Sequence, residues 1–176
     1  PEQVGLRSRP ANDASKHLAA GFRADGYLAD GGRWDMSGDF LTRKADGGTD
    51  YFLPTFMPPP GEDHQSHSLR GRYQKVLSES SEFQVQSALS YTDLRLGAIA
   101  DRRTTFDLDA QHRTRVFGNH DLVWGVNYRF STDEIASSPV LSVTQPSRSI
   151  HQIGVFAHDE VSIVDTLKLS LGMRLD

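Results

Sequence analysis

The residue types that most often carry out chemistry occur here in patterns that predict no catalytic centre. His64 and His67 stand three residues apart beside a proline-rich stretch with no carboxylate triad, which favours a solvated pair over a metal site. The segment Asp46-Gly47-Gly48-Thr49-Asp50 lacks the ligand number of a calcium loop and predicts a turn. The sequence has no G-x-S-x-G nucleophile elbow, phosphate-binding loop or dinucleotide fingerprint. We therefore expect no enzyme activity, no metal and no cofactor.

Arginines form a second set of candidates. A polar face shared by several predicted strands carries Arg70, Arg72, Arg113 and Arg129 together with Asp107, Asp109 and Glu160. The guanidinium fork suits the carboxylate or catecholate oxygens of an anionic ligand. The competing interpretation, which we favour for any single arginine, is a structural network of ion pairs.

Aromatic residues in a long predicted loop form a third set. Residues 44–65 contain Gly47-Gly48 and Pro58-Pro59-Pro60, and proline cannot donate to a strand ladder, so this stretch predicts a loop. Its side chains Tyr51, Phe52 and Phe56 are candidates for ligand capture, because loops carry specificity more often than the scaffold below them. The alternative is that these rings pack on their neighbours.

The elements that position these residues are strands, and the clearest are in residues 104–130. Phe106, Leu108 and Ala110 alternate with acidic and polar residues, and a five-residue turn at 116–120 leads into a second alternating arm from Leu122 to Phe130. Period-2 alternation over arms of about ten residues predicts a long antiparallel hairpin with one apolar and one polar face. Soluble strands are usually only about 5–6 residues long.

The same alternation recurs along the chain and predicts about eight strands, or nine if residues 1–9 contribute one, and no helix. Short connections at 79–81, 116–120 and 165–166 alternate with longer ones at 44–65, 97–102 and 131–147. In an up-and-down meander, all the short turns then fall on one edge and all the long loops on the other. This asymmetry is typical of transmembrane β-barrels, whose strands are apolar outside and polar inside. Trp34, Tyr91, Tyr128 and Phe130 fall near predicted strand ends, where such barrels place aromatic girdles.

Composition leaves this class open while excluding others. The net charge of −4 and pI near 6.0 provide no basic surface for nucleic acid. Cysteine is absent, which excludes disulfides and thiolate metal sites. Apolar runs reach only about five residues, too few for a transmembrane helix. The alternatives that we retain are a soluble antiparallel sandwich, such as a carbohydrate-binding module, and a complete small or porin-like barrel.

Three consecutive hairpins resemble the barrel of TonB-dependent outer-membrane receptors. Residues 120–134 are similar to a family strand of the form L-x-x-G-x-x-Y-R followed by an acidic loop, and residues 155–176 to an F-x-Q-D-E hairpin. Residues 68–96 resemble the preceding hairpin. His158 stands where the family usually has Gln, and the final Arg-Leu-Asp differs from its terminal aromatic residue.

The resemblance implies that residues 1–176 are an interior segment of a larger barrel in the bacterial outer membrane. We expect no plug domain, TonB box or signal peptide within them. The parent would import a scarce ligand, most often a ferric siderophore and otherwise cobalamin or a sugar. Its implied partners are outer-membrane lipid, the plug of the same chain and the TonB complex.

Overall fold

A computed structural model describes residues 14–45, 61–96, 99–136 and 142–176. This described part of the chain is all-β and forms one eight-stranded antiparallel sheet in which strand order follows chain order. The strands are β1 (Ser15–Tyr27), β2 (Arg33–Ala45), β3 (Glu62–Ser78), β4 (Ser81–Leu96), β5 (Ile99–Val116), β6 (His120–Ala136), β7 (Ser147–Val164) and β8 (Leu167–Leu175). No helix with the length and hydropathy of a membrane span occurs among these residues. A ninth strand predicted at residues 1–9 lies outside them.

Tight turns collect on one edge of the sheet, as predicted. Residues 28–32, 79–80, 117–119 and 165–166 connect successive strands there, and we call this edge the turn rim. The opposite edge, the loop rim, is where residues 46–61, 97–98 and 137–146 separate the strands. The asymmetry therefore holds for two of the three connections at the loop rim.

The exception is the longer loop predicted at residues 97–102, which is wrong because β4 ends at Leu96 and β5 already begins at Ile99. Residues 62–65 and 131–136 likewise belong to strands rather than loops. Ion pairs on the outer surface accompany these added rungs, since Arg102 binds Glu134 at 3.3 Å and Asp93 at 3.4 Å. Period-2 hydrophobicity misses such rungs because both faces of the ladder are polar there.

The register tilts the strands as in a barrel wall. One row of paired residues crosses all eight strands through Gly26, Trp34, Tyr73, Val85, Ala110, Val126, Val155 and Leu175. The distance from this row to the centre of the adjoining turn grows from about four residues in the first hairpin to about six, eight and ten in the next three. A stagger of about one residue per strand, with a rise of about 3.4 Å and a strand spacing of about 4.8 Å, corresponds to a tilt of about 35°. Transmembrane barrels have tilts of about 35–45°.

The two faces of the sheet differ sharply in polarity, and the apolar one has no core beneath it. Outward positions on neighbouring strands include Leu69, Leu89, Leu108, Val126, Val155 and Leu171. All of these side chains are exposed, and no hydrophobic side chain in the described part of the chain is buried. A soluble sandwich would bury this face against a second sheet. Here the face has no such cover, as expected for a surface that meets lipid.

Aromatic rings border the apolar band at both ends. Near the turn rim, the outward rings are Trp34, Tyr73, Phe83 and Trp124. Towards the loop rim, they are Phe40, His67, Tyr91, Phe106, Phe130 and His151, with Phe40 and Tyr91 stacked on opposite sides of His67. Six to eight residues separate the two sets along a strand, roughly 20–27 Å at the usual rise per residue. The apolar band of outer-membrane barrels is about 25 Å tall.

A polar clasp fixes the first turn to β3. The Asp30 carboxylate accepts hydrogen bonds from Lys75 Nζ at 2.8 Å, the Tyr73 hydroxyl at 2.7 Å and the Gly32 N–H at 2.9 Å. These donors, Lys75 foremost, hold the pKa of Asp30 well below its ordinary value of 3.8. A depressed carboxyl pKa stabilises the folded state above the ordinary pKa, and this stabilisation is lost as the pH falls towards the folded pKa.

We predict that Asp30→Asn lowers the resistance of the intact protein to urea at pH 7. The difference from the parent should shrink as the pH falls below about 4, because the carboxyl of the unfolded chain then binds a proton that the folded clasp excludes, which favours unfolding. Urea midpoints at pH 7 and at about pH 2.5 measure this, with Asp25→Asn as a control carboxylate near the same turn. A difference that stays constant with pH would show that the carboxylate charge does not stabilise the turn.

A second prediction separates the faces of β6. In lipid vesicles, Val126→Arg should cost the intact protein about 2–4 kcal/mol of unfolding free energy, since a charge near the bilayer midplane is destabilising by that amount. Asn127→Arg should cost much less, because its side chain points to the polar face directly opposite Asp109. Denaturant titration of both variants measures the difference.

Enlarged apolar side chains complete this test. Val126 is 39% exposed and Leu108 is 38% exposed. Val126→Leu and Leu108→Phe should leave stability in vesicles unchanged, because fluid lipid accommodates them whereas a packed core is strained by overpacking. Clear destabilisation by both enlargements would contradict the lipid-facing assignment.

Candidate functional site

The polar face of the sheet is its concave face and forms the wall of a hollow. The larger of its concavities, about 660 Å³, lies midway along the strands and is bordered by side chains from β3 to β8. Its polar lining comprises Arg70, Gln86, Asp107, Asp109, Asn127, Arg129, Gln152 and Arg174. A second concavity of about 370 Å³ lies nearer the turn rim. The predicted polar face is thus gathered into one wall, with both charge signs interspersed.

Three of the four candidate arginines are already paired with carboxylates of the same wall. Arg72 Nε donates to Asp35 at 2.7 Å, and Arg129 Nε donates to Asp107 at 2.6 Å. Arg113 binds Asp121 with two nitrogens, Nε at 2.7 Å and Nη2. Each pair joins neighbouring strands and is partly exposed to the hollow. The paired carboxylates therefore partly neutralise these arginines, which leaves less net positive charge to attract an anionic ligand.

Arg70 differs from the other three. Its cross-strand neighbours are Ser37 and Ala88, which are uncharged and short, whereas Arg72 lies directly opposite Asp35. Within the described part of the chain, Arg70 makes no hydrogen bond and no ion pair. It is exposed at the edge of the larger concavity. An arginine in this state can bind an anion without first releasing a carboxylate.

Acceptor groups line the same concavity as Arg70. Asp109 has no ion pair in the described residues, and the Oδ1 atom of Asn127 is buried without a hydrogen-bond partner there. Asn127 pairs with Asp109 across β5 and β6 and with Gly154 on β7. A Cβ at Gly154 would collide with the Asn127 side chain, so glycine is required for this approach. The larger concavity is thus bordered by an unpaired arginine, Arg70, and by oxygen acceptors that have no donor in the described residues.

The sequence did not single out every residue of this wall. Asn127, Arg174 and Asp176 border the same hollow but were not among the predicted site residues. Their place in the period-2 pattern was the available signal, because each falls on the polar face of its strand. The loop candidates Tyr51, Phe52 and Phe56 lie outside the described residues and stay predictions.

The two histidines considered as a metal pair lie on opposite faces. His64 pairs with Leu94 and faces the hollow, whereas His67 faces outward. A separation of three residues in a strand always places side chains on opposite faces, since the period is two. One metal ion therefore cannot bridge them. In the described residues no group of three or more potential ligands is assembled.

Together these features define a class of protein, an antiparallel β-barrel wall with an apolar exterior and a charged, concave interior. The family described as TonB dependent receptor-like, beta-barrel matches residues 7–176. The chain therefore belongs to the TonB-dependent receptor β-barrel family. No curated protein and no solved structure shows a significant match to it.

Family membership has direct consequences for function. It implies TonB-dependent transport across the bacterial outer membrane, together with a plug domain and an interaction with TonB. The family is one of receptors and transporters, not of enzymes. The polar wall is consequently the surface that lines the barrel interior, and the exposed apolar face is the one that meets lipid.

We predict that the ion pairs of the wall neutralise charge in the barrel interior but contribute little to the free energy of unfolding. Arg129 is 57% exposed and Asp107 is 38% exposed, so the solvent-screened pair should contribute less than about 1 kcal/mol. A double-mutant cycle with Asp107→Asn and Arg129→Gln, followed by urea unfolding in vesicles, measures the coupling. A coupling of several kcal/mol would mean that this part of the wall is dry and desolvated.

Proposed function

We propose that the chain is a segment of a larger TonB-dependent barrel that imports an anionic ferric complex, namely a ferric siderophore. The observation that carries the proposal is the segregation of the two faces, with a charged hollow on one side and an uncovered apolar band on the other. A wall of this kind suits a hydrated, charged cargo better than an apolar one.

Open sheet edges support the larger barrel. In the described residues β1 pairs only with β2 and β8 only with β7, so each outer strand has one unpaired edge. Unpaired backbone groups cannot be tolerated in the hydrocarbon region of a membrane. Further strands on both sides would complete the hydrogen bonding and close the barrel.

Arg70 is the wall residue that we assign to the anionic cargo or to the plug. Charge-assisted hydrogen bonds to anionic oxygens contribute about 1.5–3 kcal/mol each, more than neutral ones. The loop aromatics Tyr51, Phe52 and Phe56 are proposed to capture the ligand at the loop rim before it reaches the wall. Arg72, Arg113 and Arg129 remain candidates of lower rank because carboxylates already neutralise them.

The two alternative classes receive less support. A soluble carbohydrate-binding sandwich requires a buried apolar core, and the described residues contain no buried hydrophobic side chain. A porin-like barrel would share the two faces, and no observation favours it over the family that the chain matches.

The test uses the complete receptor that contains this chain, reconstituted in vesicles and titrated with a panel of ferric siderophores, cobalamin and oligosaccharides. Arg70→Gln should weaken the binding of an anionic ferric siderophore about tenfold, the effect of losing one charge-assisted hydrogen bond. Arg72→Gln is the matched control on the same strand, and its effect should be smaller because Asp35 already neutralises Arg72.

Two results would contradict the proposal in different ways. Tight binding of an uncharged ligand alone would exclude the siderophore while leaving the transporter intact. Unchanged siderophore affinity in Arg70→Gln and in a Tyr51, Phe52 and Phe56 triple serine variant would remove both proposed contact sets.

A further inference from the structure

One residue at the turn rim has a backbone conformation that its side chain does not favour. Phe117, in the turn between β5 and β6, has a φ of 54°, and it is the one residue other than glycine with a positive φ in the described chain. Bulky residues rarely adopt this left-handed conformation, which glycine and asparagine accept more readily. Gly118 and Asn119 follow immediately, so residues suited to that conformation are adjacent.

The ring of Phe117 gains little from the protein around it. It is 91% exposed, and its ring contact is an edge-on approach to His120 with centroids 6.1 Å apart. His120 faces outward, on the same side as Leu122 and Trp124. The ring therefore lies on the outer, lipid-facing side of the turn rather than over the hollow. A strained conformation that presents an exposed ring indicates a function outside the fold.

Apolar side chains of the next hairpin extend this surface. Ile163, Val164 and Leu167 surround the turn between β7 and β8 and are all exposed. The two turns are joined directly, because the Ser162 N–H donates to the Asn119 carbonyl at 2.9 Å. We call Phe117, Ile163, Val164 and Leu167 the rim patch.

The rim patch joins the outer apolar band along β8, whereas on β6 and β7 an outward polar pair, His120 Nδ1 and Asp159 Oδ2 at 2.7 Å, lies between them. Leu122 on β6 and Leu169 on β8 occupy outward positions between the patch and the middle of the sheet. The turn between β3 and β4 consists of the polar residues Glu79 and Ser80, with the exposed side chain of Leu77 beside it. The exposed apolar surface at the rim is thus larger on the β5–β8 side of the sheet than at the neighbouring turn.

We propose that the rim patch, led by Phe117, inserts into the phospholipid headgroup region of the leaflet on the turn side and anchors this part of the barrel there. The inference rests on the proposed membrane-barrel function and adds a specific lipid contact to it. Aromatic and aliphatic side chains partition favourably into the interface, and continuity with the lipid-facing band favours lipid over a soluble protein as the occupant.

The first experiment measures the depth of single labels in the complete receptor, reconstituted in phospholipid vesicles. Since this chain has no cysteine, fluorophores can be attached through Phe117→Cys, Val126→Cys, Asn127→Cys and Glu79→Cys after replacement of any cysteine elsewhere in the receptor. Quenchers are lipids spin-labelled at the headgroup, lipids spin-labelled deep in the acyl chain, and aqueous iodide.

Headgroup-labelled lipid should quench the label at 117 most strongly, at least about twofold more than deep-labelled lipid does. The label at 126 should respond to deep-labelled lipid, and the label at 79 to iodide. Quenching at 117 by iodide alone would overturn the anchor and fit a docking surface for a soluble protein. Loss of lipid quenching at 126, or lipid quenching at 127 equal to it, would instead overturn the membrane-facing assignment of the sheet.

A second measurement separates a ring that contacts lipid from a ring with no anchoring role. The two cases predict opposite effects on insertion when a substitution at residue 117 relieves the backbone strain and removes the ring. Phe117→Asn relieves the left-handed strain but removes the ring, whereas Phe117→Trp keeps a ring and the strain. If the ring contacts lipid, Phe117→Asn should slow insertion into preformed vesicles several-fold, and Phe117→Trp should match the parent. Faster insertion or greater stability of Phe117→Asn in vesicles would show that the ring has no anchoring role.

Discussion

The absence of water from the hydrocarbon core of a membrane is the constraint on which this structure depends. Each backbone N–H and C=O group in that region must find a partner within the protein, so strands can span only as a continuous antiparallel ladder. The eight strands meet this demand along every interior strand, with a regular register between neighbours. The stagger of about one residue per strand follows from the same ladder and produces the tilt of a barrel wall.

Once the ladder is set, the period of two divides the chemistry between the faces. Outward positions meet lipid and bear no charge across the apolar band. Outward charges lie beyond the aromatic rings, with Lys44, Asp63, Asp93 and Arg102 at the loop rim and Lys75 and Asp159 at the turn rim. Inward positions bear charges throughout, and most find a partner on the neighbouring strand. Pairing between strands lets the wall remain polar while most of its charges are neutralised. Arg70 differs because its cross-strand neighbours, Ser37 and Ala88, are uncharged.

Period-2 patterning was sufficient to predict the all-β class, the meander, the two faces and the assignment of Arg70, Arg72, Arg113 and Arg129 to one wall. It failed at residues 97–102, where polar residues on both faces of a ladder look like a loop, and the strand continues as rungs joined by ion pairs. The sequence pattern also could not predict which carboxylate each arginine binds. Arg70 and Arg72 are equivalent in pattern, and only the register places Asp35 beside one and Ser37 beside the other. Nor does a pattern of polarity indicate the positive φ of Phe117, which is a property of the turn geometry.

One face of this sheet contacts lipid while the other lines a water-filled interior. Spin labels placed singly along β6 from Asp121 to Phe130, in the complete receptor in vesicles, test this arrangement most directly through collision rates with oxygen and with a water-soluble nickel complex. Oxygen accessibility should peak at the even-numbered positions and nickel accessibility at the odd-numbered ones, in opposite phase with a period of two. Low accessibility to both reagents at the even-numbered positions would mean that this face is a packed protein core and would contradict the account.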